Sequence, residues 1–261
     1  MKRRRNRIRQ PRQVSPLADK PFRQLVNPFA PLEVLSPEQL EQIHQASLAI
    51  LEDIGLEFMN DEVCAAWHKA GAVVDRQTRR VRIDRGLLLQ LVAQAPAAFT
   101  LYARNPAHNL IVGGNHINFA TVGAVPYYAD LDNGRRPGKL ADFKRMVKLA
   151  QVCSPIHVVE GLLVEPQDIP VAERNLQKGL AVLLYSDKVM TTAAHGHISA
   201  TDYVNMAAIL FGGLEAIARR PAFASNVNVN SPLRYDDRML GALLVYAKHG
   251  QPLSLIHISE P

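Results

Sequence analysis

Apolar positions along the chain fall into three regimes, each with its own period. From Ser36-Pro37-Glu38-Gln39 onward, apolar residues recur at Leu40, Ile43, Ile50, Leu51 and Ile54, with the small Ser47 in the row, and Gly55 ends the stretch. That spacing predicts an amphipathic helix. Ser36 can cap its first amides, Pro37 suits the first helical position, and Gln39 can close a capping box. A second helix is predicted from Asp61 through Trp67 with Gly71 as its stop, then a small hairpin from Val73–Val74 and Val81–Ile83. Residues 85–95 predict a third helix, ended by Pro96.

Residues 99–128 change character. Short runs (Phe99–Ala103, Leu110–Val112, Ile117–Phe119, Val125–Tyr128) are separated by Asn105-Pro106 and Gly113-Gly114-Asn115, which are strand and turn signals. From residue 139 helical stripes alternate with strands predicted at 158–164, 189–193, 223–229 and 253–258. Such alternation means βαβ units and a parallel sheet. A nucleotide-binding sheet would carry a glycine-rich phosphate turn after its first strand, and neither GxGxxG nor GxxxxGK[ST] occurs. Polar residues instead follow successive strands: Glu165 and Asp168, then His195 and His197, then Asn228, Asn230 and Ser231. This is how a (β/α)8 barrel assembles a site. The predicted fold is α/β, a partial TIM barrel of about the first half over residues 139–253. A basic disordered tail (1–34), a helical region with a hairpin (35–98) and a β-rich segment (99–138) precede it.

A closed barrel takes about 250 residues, and the alternating region supplies about half of that. Residues 254–261 look like the translation of a sequencing adapter, a non-native tail. The expectation is therefore a fragment of a longer gene product, inactive alone and prone to aggregate through unpaired strand edges.

Charge changes this picture at one end only. Residues 1–24 hold nine basic groups and one acid, +8, so the rest of the +6 chain sums to 21 − 23 = −2. Arg3-Arg4-Arg5 raises the rival reading of an inactive scaffold or binding module whose tail docks on nucleic acid or an anionic membrane. No aromatic interleaves the first charges and no nucleic-acid motif follows, so nucleic acid is not the expected partner. No apolar run reaches about 18 residues, so no membrane span is predicted. The charged start lacks the apolar run of an export signal, and Cys64 and Cys153 suit a reducing, cytoplasmic setting.

Several stretches together resemble the N-terminal half of the trimethylamine–corrinoid methyltransferase family in its bacterial form without pyrrolysine. They are Asn109–Gly114 with Phe119, Asp130-Leu131 with Gly134-Arg135-Arg136-Pro137, Leu140–Phe143, Glu165-Pro166 with Asp168 and Pro170-Val171, Ser186–Lys188, Phe211–Gly213, Asn230–Asp237 and Gly250–Pro252. The resemblance covers about residues 30–253. It implies a TIM barrel that moves a methyl group from a methylated amine, such as trimethylamine or glycine betaine, to the Co(I) corrinoid of a separate protein. The corrinoid belongs to that partner, no metal or tightly bound cofactor is implied in this subunit, and the full-length protein is expected to form homo-oligomers.

Holding a quaternary ammonium calls for aromatic faces and a carboxylate, since the group has no N–H. Glu165 is the carboxylate candidate, against a reading as helix N-terminal charge; Asp168 reads more simply as a cap. His195 and His197 share a face on extended chain, which permits a metal, but no third ligand is evident; substrate or corrinoid contact and ordinary loop positions stay open. Asn226, Asn228 and Asn230 alternate along one strand, and Asn228 and Asn230 could bind a substrate carboxylate or corrinoid amides, or cap the strand end. Phe119, Tyr127 and Tyr128 form either an ammonium cage or packed hairpin aromatics. Arg135 and Arg136 could pair with a corrinoid phosphate or a partner's acids, or sit exposed at a turn.

Overall fold

A computed structural model of the protein describes residues 20–30, 32–123, 125–228, 230 and 232–254. The arginine-rich first 19 residues, Ser231 and residues 255–261 lie outside these. The elements run β1 (Leu25–Val26), α1 (Pro37–Ala49), β2 (Leu56–Phe58), α2 (Asp61–Ala70), β3 (Val73–Asp75), β4 (Arg80–Arg82) and α3 (Arg85–Val92). Then come β5 (Ala98–Leu101), β6 (Leu110–Gly113), β7 (His116–Ile117), β8 (Tyr127–Asp130) and β9 (Gly134–Pro137). The alternating part follows: α4 (Leu140–Val152), β10 (Val158–Glu160), α5 (Val171–Tyr185), β11 (Val189–Ala193), α6 (His197–Phe211), α7 (Leu214–Arg219), β12 (Phe223–Asn226), β13 (Arg234–Tyr235), α8 (Asp237–Lys248) and β14 (Leu253–Ser254).

The capping box of α1 forms as its residues predict: the Gln39 amide donates to Ser36 Oγ at 3.3 Å and the Ser36 amide to Gln39 Oε1 at 2.9 Å. The stretch continues as a π-turn over Ile50–Ile54 up to Gly55. Its apolar row departs from the expected burial. Leu40, Ile43, Ile50 and Ile54 are exposed, and Leu48 is the buried residue of α1. The β3–β4 hairpin forms as predicted and joins β2 in an antiparallel arrangement; β13 then adds parallel to β2, tying the sheet to the chain just before α8. Phe58 stacks on Tyr235 across that join, with ring centroids 5.2 Å apart.

Strands β10, β11, β12 and β14 form one parallel sheet in sequential order. Each right-handed crossover to the next neighbour puts the intervening helix on the same side. Accordingly α4 packs on α5, α5 on α6 and α6 on α8. Ala120 adds a parallel bridge to Val158, extending the sheet by a fifth segment. The architecture is thus mixed α/β with eight α-helices and several small sheets among the described residues, and those residues form no closed barrel.

Three local departures have physical reasons. The strand predicted at 158–164 stops at Glu160. Gly161 passes so close to β11 that a Cβ there would lie 2.6 Å from the Thr191 carbonyl oxygen, and the chain turns away. Ile117 was expected in a hairpin with its neighbours, but β7 pairs with β1, inside the stretch expected to be a tail. That segment is held by isolated contacts with no period to read. Phe22 packs on His108 and His157, and the Arg23 carbonyl accepts from His157 Nε2 at 3.0 Å. Finally, β12 ends at Asn226, short of the predicted 229.

Candidate active site

The register fixes which side chains share a face of the parallel sheet. Val158, Val159 and Glu160 lie beside Val189, Met190 and Thr191; Met190 through Ala193 lie beside Phe223 through Asn226. Side chains alternate, so Met190, Thr192, Phe223 and Ser225 face the helices. There Met190 and Phe223 share a core with Tyr203 and Ala207 of α6, and Thr192 bonds the Tyr246 hydroxyl of α8 at 3.1 Å. On the opposite face Val158, Val189 and Ala224 pack on Leu101 and Leu110 of the β5–β6 hairpin and on Phe22. That hairpin is an apolar floor. One step further toward the carboxyl ends the same face carries Glu160 and Thr191, level with Ala224, and one step beyond them Asn226 lies beside Ala193.

Glu160 is the chemically distinctive member of this layer. Its amide donates to Thr121 Oγ1 at 2.9 Å and its carboxylate accepts the Thr191 hydroxyl. A Cβ on Gly123 would lie 3.0 Å from Glu160 Cγ, so the side chain lies across the end of the preceding chain segment. Burial pushes its pKa above the usual carboxylate range. Among the described residues no cationic side chain forms an ion pair with it. Two further buried polar atoms lack a partner among these residues: Asn228 Oδ1, just past β12, and the Tyr203 hydroxyl, whose pKa burial raises steeply.

The residues singled out from sequence do not converge on this layer as a group. Glu165 accepts from Lys178 Nζ at 2.8 Å and from Arg174 at 3.3 Å, and the Lys178 side chain is 1% exposed. Its charge is therefore spent on α5. Asp168 caps, but it caps α4, accepting the Leu140 amide at 2.8 Å. His195 and His197 are exposed where β11 gives way to α6. They line a groove of about 610 Å³ between α6 and α8 with Arg238, Asn60, Glu62 and Thr201. Desolvation, then the charges of Lys178 and Arg238, push the His195 pKa below its ordinary value. The described residues contain no group of three His, Cys, Asp or Glu side chains arranged for a metal.

Asn230 leaves the row expected with Asn226 and Asn228. Its backbone pairs with Arg234 and its side chain donates to Asp236 at 3.1 Å, closing an exposed turn. The aromatic trio separates as well. The Phe119 carbonyl accepts the amides of His157 and Val158 at the amino end of β10, whereas Val125 and Pro126, beside Tyr127, bond to Glu165 and Gln167 beyond its carboxyl end. One face of each tyrosine ring carries an arginine, Arg135 on Tyr127 at 3.9 Å and Arg136 on Tyr128 at 5.0 Å. Arg136 also grips the buried Asp142 carboxylate with bonds of 2.6 and 2.8 Å and reaches Asp130 at 3.4 Å. Both arginines are thus engaged with the tyrosines, and Phe119 stands at the opposite end of β10 from Tyr127 and Tyr128.

Sequence reasoning passed over Glu160 and Thr191. The signal was a lone acid inside an otherwise apolar run, Val158-Val159-Glu160-Gly161-Leu162-Leu163. Such an acid is buried or functional, because water is excluded from the strand that carries it.

A four-stranded parallel sheet with helices on one face and the β5–β6 hairpin on the other makes this an α/β domain. The family model described as "Trimethylamine methyltransferase (MTTB)" matches residues 1–258, and the chain belongs to that family. The match runs over the arginine-rich start and past residue 253, wider than the stretch on which the sequence resemblance rests. The glycine betaine methyltransferase of Desulfitobacterium hafniense (strain Y51) is 39% identical over 218 residues, 84% of this chain and 45% of that protein. A trimethylamine methyltransferase MttB from D. hafniense (strain DSM 10664 / DCB-2) is 24% identical over 223 residues, 85% of this chain and 45% of its own. The proline betaine:corrinoid methyltransferase of Eubacterium limosum is 24% identical over 238 residues, 86% of this chain and 47% of its own. The chain spans about half the length of the curated relatives it matches.

Proposed function

We propose that the chain is the opening β/α half of a TIM barrel that transfers a methyl group from a methylated amine to the Co(I) corrinoid of a separate protein. The sequential parallel order of β10, β11, β12 and β14, with helices stacked along one side, supports a singly wound, barrel-type path. The relatives' names, glycine betaine, proline betaine and trimethylamine methyltransferases, support the substrate class. The observation that carries the site is the polar group of Glu160 and Thr191, with Asn226 one step beyond, on the face of the sheet whose base the β5–β6 hairpin seals.

In this reading the chain's residues bind and orient. The apolar floor excludes water below the ligand, and the layer above offers one carboxylate, one hydroxyl and amides. A methylated ammonium placed there presents a methyl group outward, toward the open carboxyl edge. A quaternary substrate leaves as a neutral tertiary amine, so no general acid is needed. The corrinoid, when its carrier docks, supplies the cobalt nucleophile that accepts the methyl. Arg135 and Arg136, the residues first considered for corrinoid contact, are engaged with Tyr127 and with Tyr128, Asp142 and Asp130, so no corrinoid contact is assigned to them. The substrate set proposed is Glu160, Thr191, Asn226 and Asn228, of which Asn228 alone is among the candidates read from the sequence.

The test is a chimera in which residues 20–253 replace the matching segment of the D. hafniense glycine betaine methyltransferase. With cob(I)alamin and glycine betaine it is expected to form methylcob(III)alamin and dimethylglycine in equal amounts. A folded chimera that forms no methylcobalamin from any methylated amine, while the parent does, contradicts the proposal.

A further inference from the structure

We infer that Glu160 is the counter-charge of this site, the residue that selects a permanently cationic methylated nitrogen over a neutral group of the same shape. The inference rests on the functional reading above and adds to it the chemical class of ligand and the residue that discriminates it.

The carboxylates around the parallel sheet differ in one respect. Asp142 is held by Arg136 and Arg145, Glu165 by Lys178 and Arg174, and Asp187 by His108, Gln151 and Asn105. Glu160 has the Thr191 hydroxyl and no ion pair among the described residues. A carboxylate that gives up water and receives a single neutral donor is unfavourable in its charged form. A ligand cation would remove that penalty.

The surroundings suit a compact methylated cation. One hydroxyl leaves most of the carboxylate's acceptor surface unused. Gly123 leaves room for the Glu160 side chain itself, whose Cγ and Cδ lie 3.0 and 3.4 Å from where a Cβ there would stand. Ala224, half-buried and level with Thr191 on the neighbouring strand, gives apolar surface for methyl groups to pack on, and Val158 and Val189 beneath are sealed by the hairpin. A tetraalkylammonium carries its charge spread over such methyls, and it is attracted by charge in a place where water is scarce. Glu160 thus acts as a specificity residue.

The experiment compares choline with 3,3-dimethylbutan-1-ol, its neutral carbon isostere, by ligand-observed NMR and calorimetry on the 261-residue chain. The unaltered protein is expected to prefer choline by at least about tenfold. Glu160→Gln should bring that ratio close to one and leave the affinity for the neutral isostere unchanged. Thr191→Val, which removes the hydroxyl donor but keeps the carboxylate, should lower the choline preference without abolishing it. Circular dichroism confirms that the variants fold. A Glu160→Gln protein that keeps the preference overturns the inference, as does an unaltered protein that binds both ligands equally or neither. The two proposals fail separately. A chimera that transfers methyl groups beside an unchanged selectivity ratio sinks the role of Glu160 alone. A Glu160-dependent preference beside an inert chimera sinks the methyl-transfer reading alone.

Discussion

Replacing Glu165 by alanine should unfold this protein well before it alters ligand recognition. Lys178 Nζ is 2.8 Å from the Glu165 carboxylate and its side chain is 1% exposed, so removing the acid strands an ammonium in the core between α5 and its neighbours. Breaking one side of a buried ion pair costs roughly 3–5 kcal/mol. Glu165 is itself 30% exposed, so water reaches the vacated place and the lower end, about 3 kcal/mol, applies. At about 2–4 °C per kcal/mol for a domain of this size, the midpoint should fall by roughly 6–12 °C. Lys178→Met, which removes the buried charge and leaves Glu165 with Arg174, should cost under about 1.5 kcal/mol. Thermal unfolding followed by fluorescence of the single tryptophan, Trp67, beside Phe58, reads both variants. A Glu165→Ala protein as stable as its parent, with lost choline binding, would refute this reasoning and restore Glu165 as a ligand carboxylate.

Two further outcomes follow from the floor and the edge of the sheet. His157 is 1% exposed, with Nδ1 accepting the Phe119 amide and Nε2 donating to the Arg23 carbonyl, both at 3.0 Å, so it is held neutral. Desolvation, then the Lys188 charge, push its pKa below 6.5; the unfolded chain therefore takes up the proton first, and stability should fall as pH drops below about 6.5. His157→Gln should flatten that acid limb in a pH series of melting curves, and an unchanged limb would assign it to other groups. Gly161→Ala should cost roughly 1–3 kcal/mol, because its Cβ would meet the Thr191 carbonyl oxygen at 2.6 Å; an unaltered urea midpoint would contradict the close approach that ends β10.

Local rules read well in this chain. Asn60 and Asp236 cap α2 and α8, Gly71 ends α2 in the left-handed region, and the Ser36–Gln39 box forms, all from short-range chemistry that a sequence displays. Long-range pairing does not read. The parallel addition of β13 to β2 joins residues 177 apart, and two residues are too few to show a period. The site was legible as a place, the ends of successive strands, more than as a set of residues. Glu165 carries the same charge as Glu160, but whether a carboxylate is neutralised depends on α5, whose Lys178 faces inward from thirteen residues further on. Tyr127 and Tyr128 look like an open cage until β9 folds back and lays Arg135 and Arg136 over their rings.

The location of the ligand is the claim on which the rest depends, and a crystal structure of the chain soaked with glycine betaine measures it directly. The trimethylammonium group is expected between Glu160, Thr191 and Asn226, beside Ala224. Betaine seated instead in the groove between α6 and α8, or absent from the sheet's carboxyl edge at saturating concentration, would contradict it.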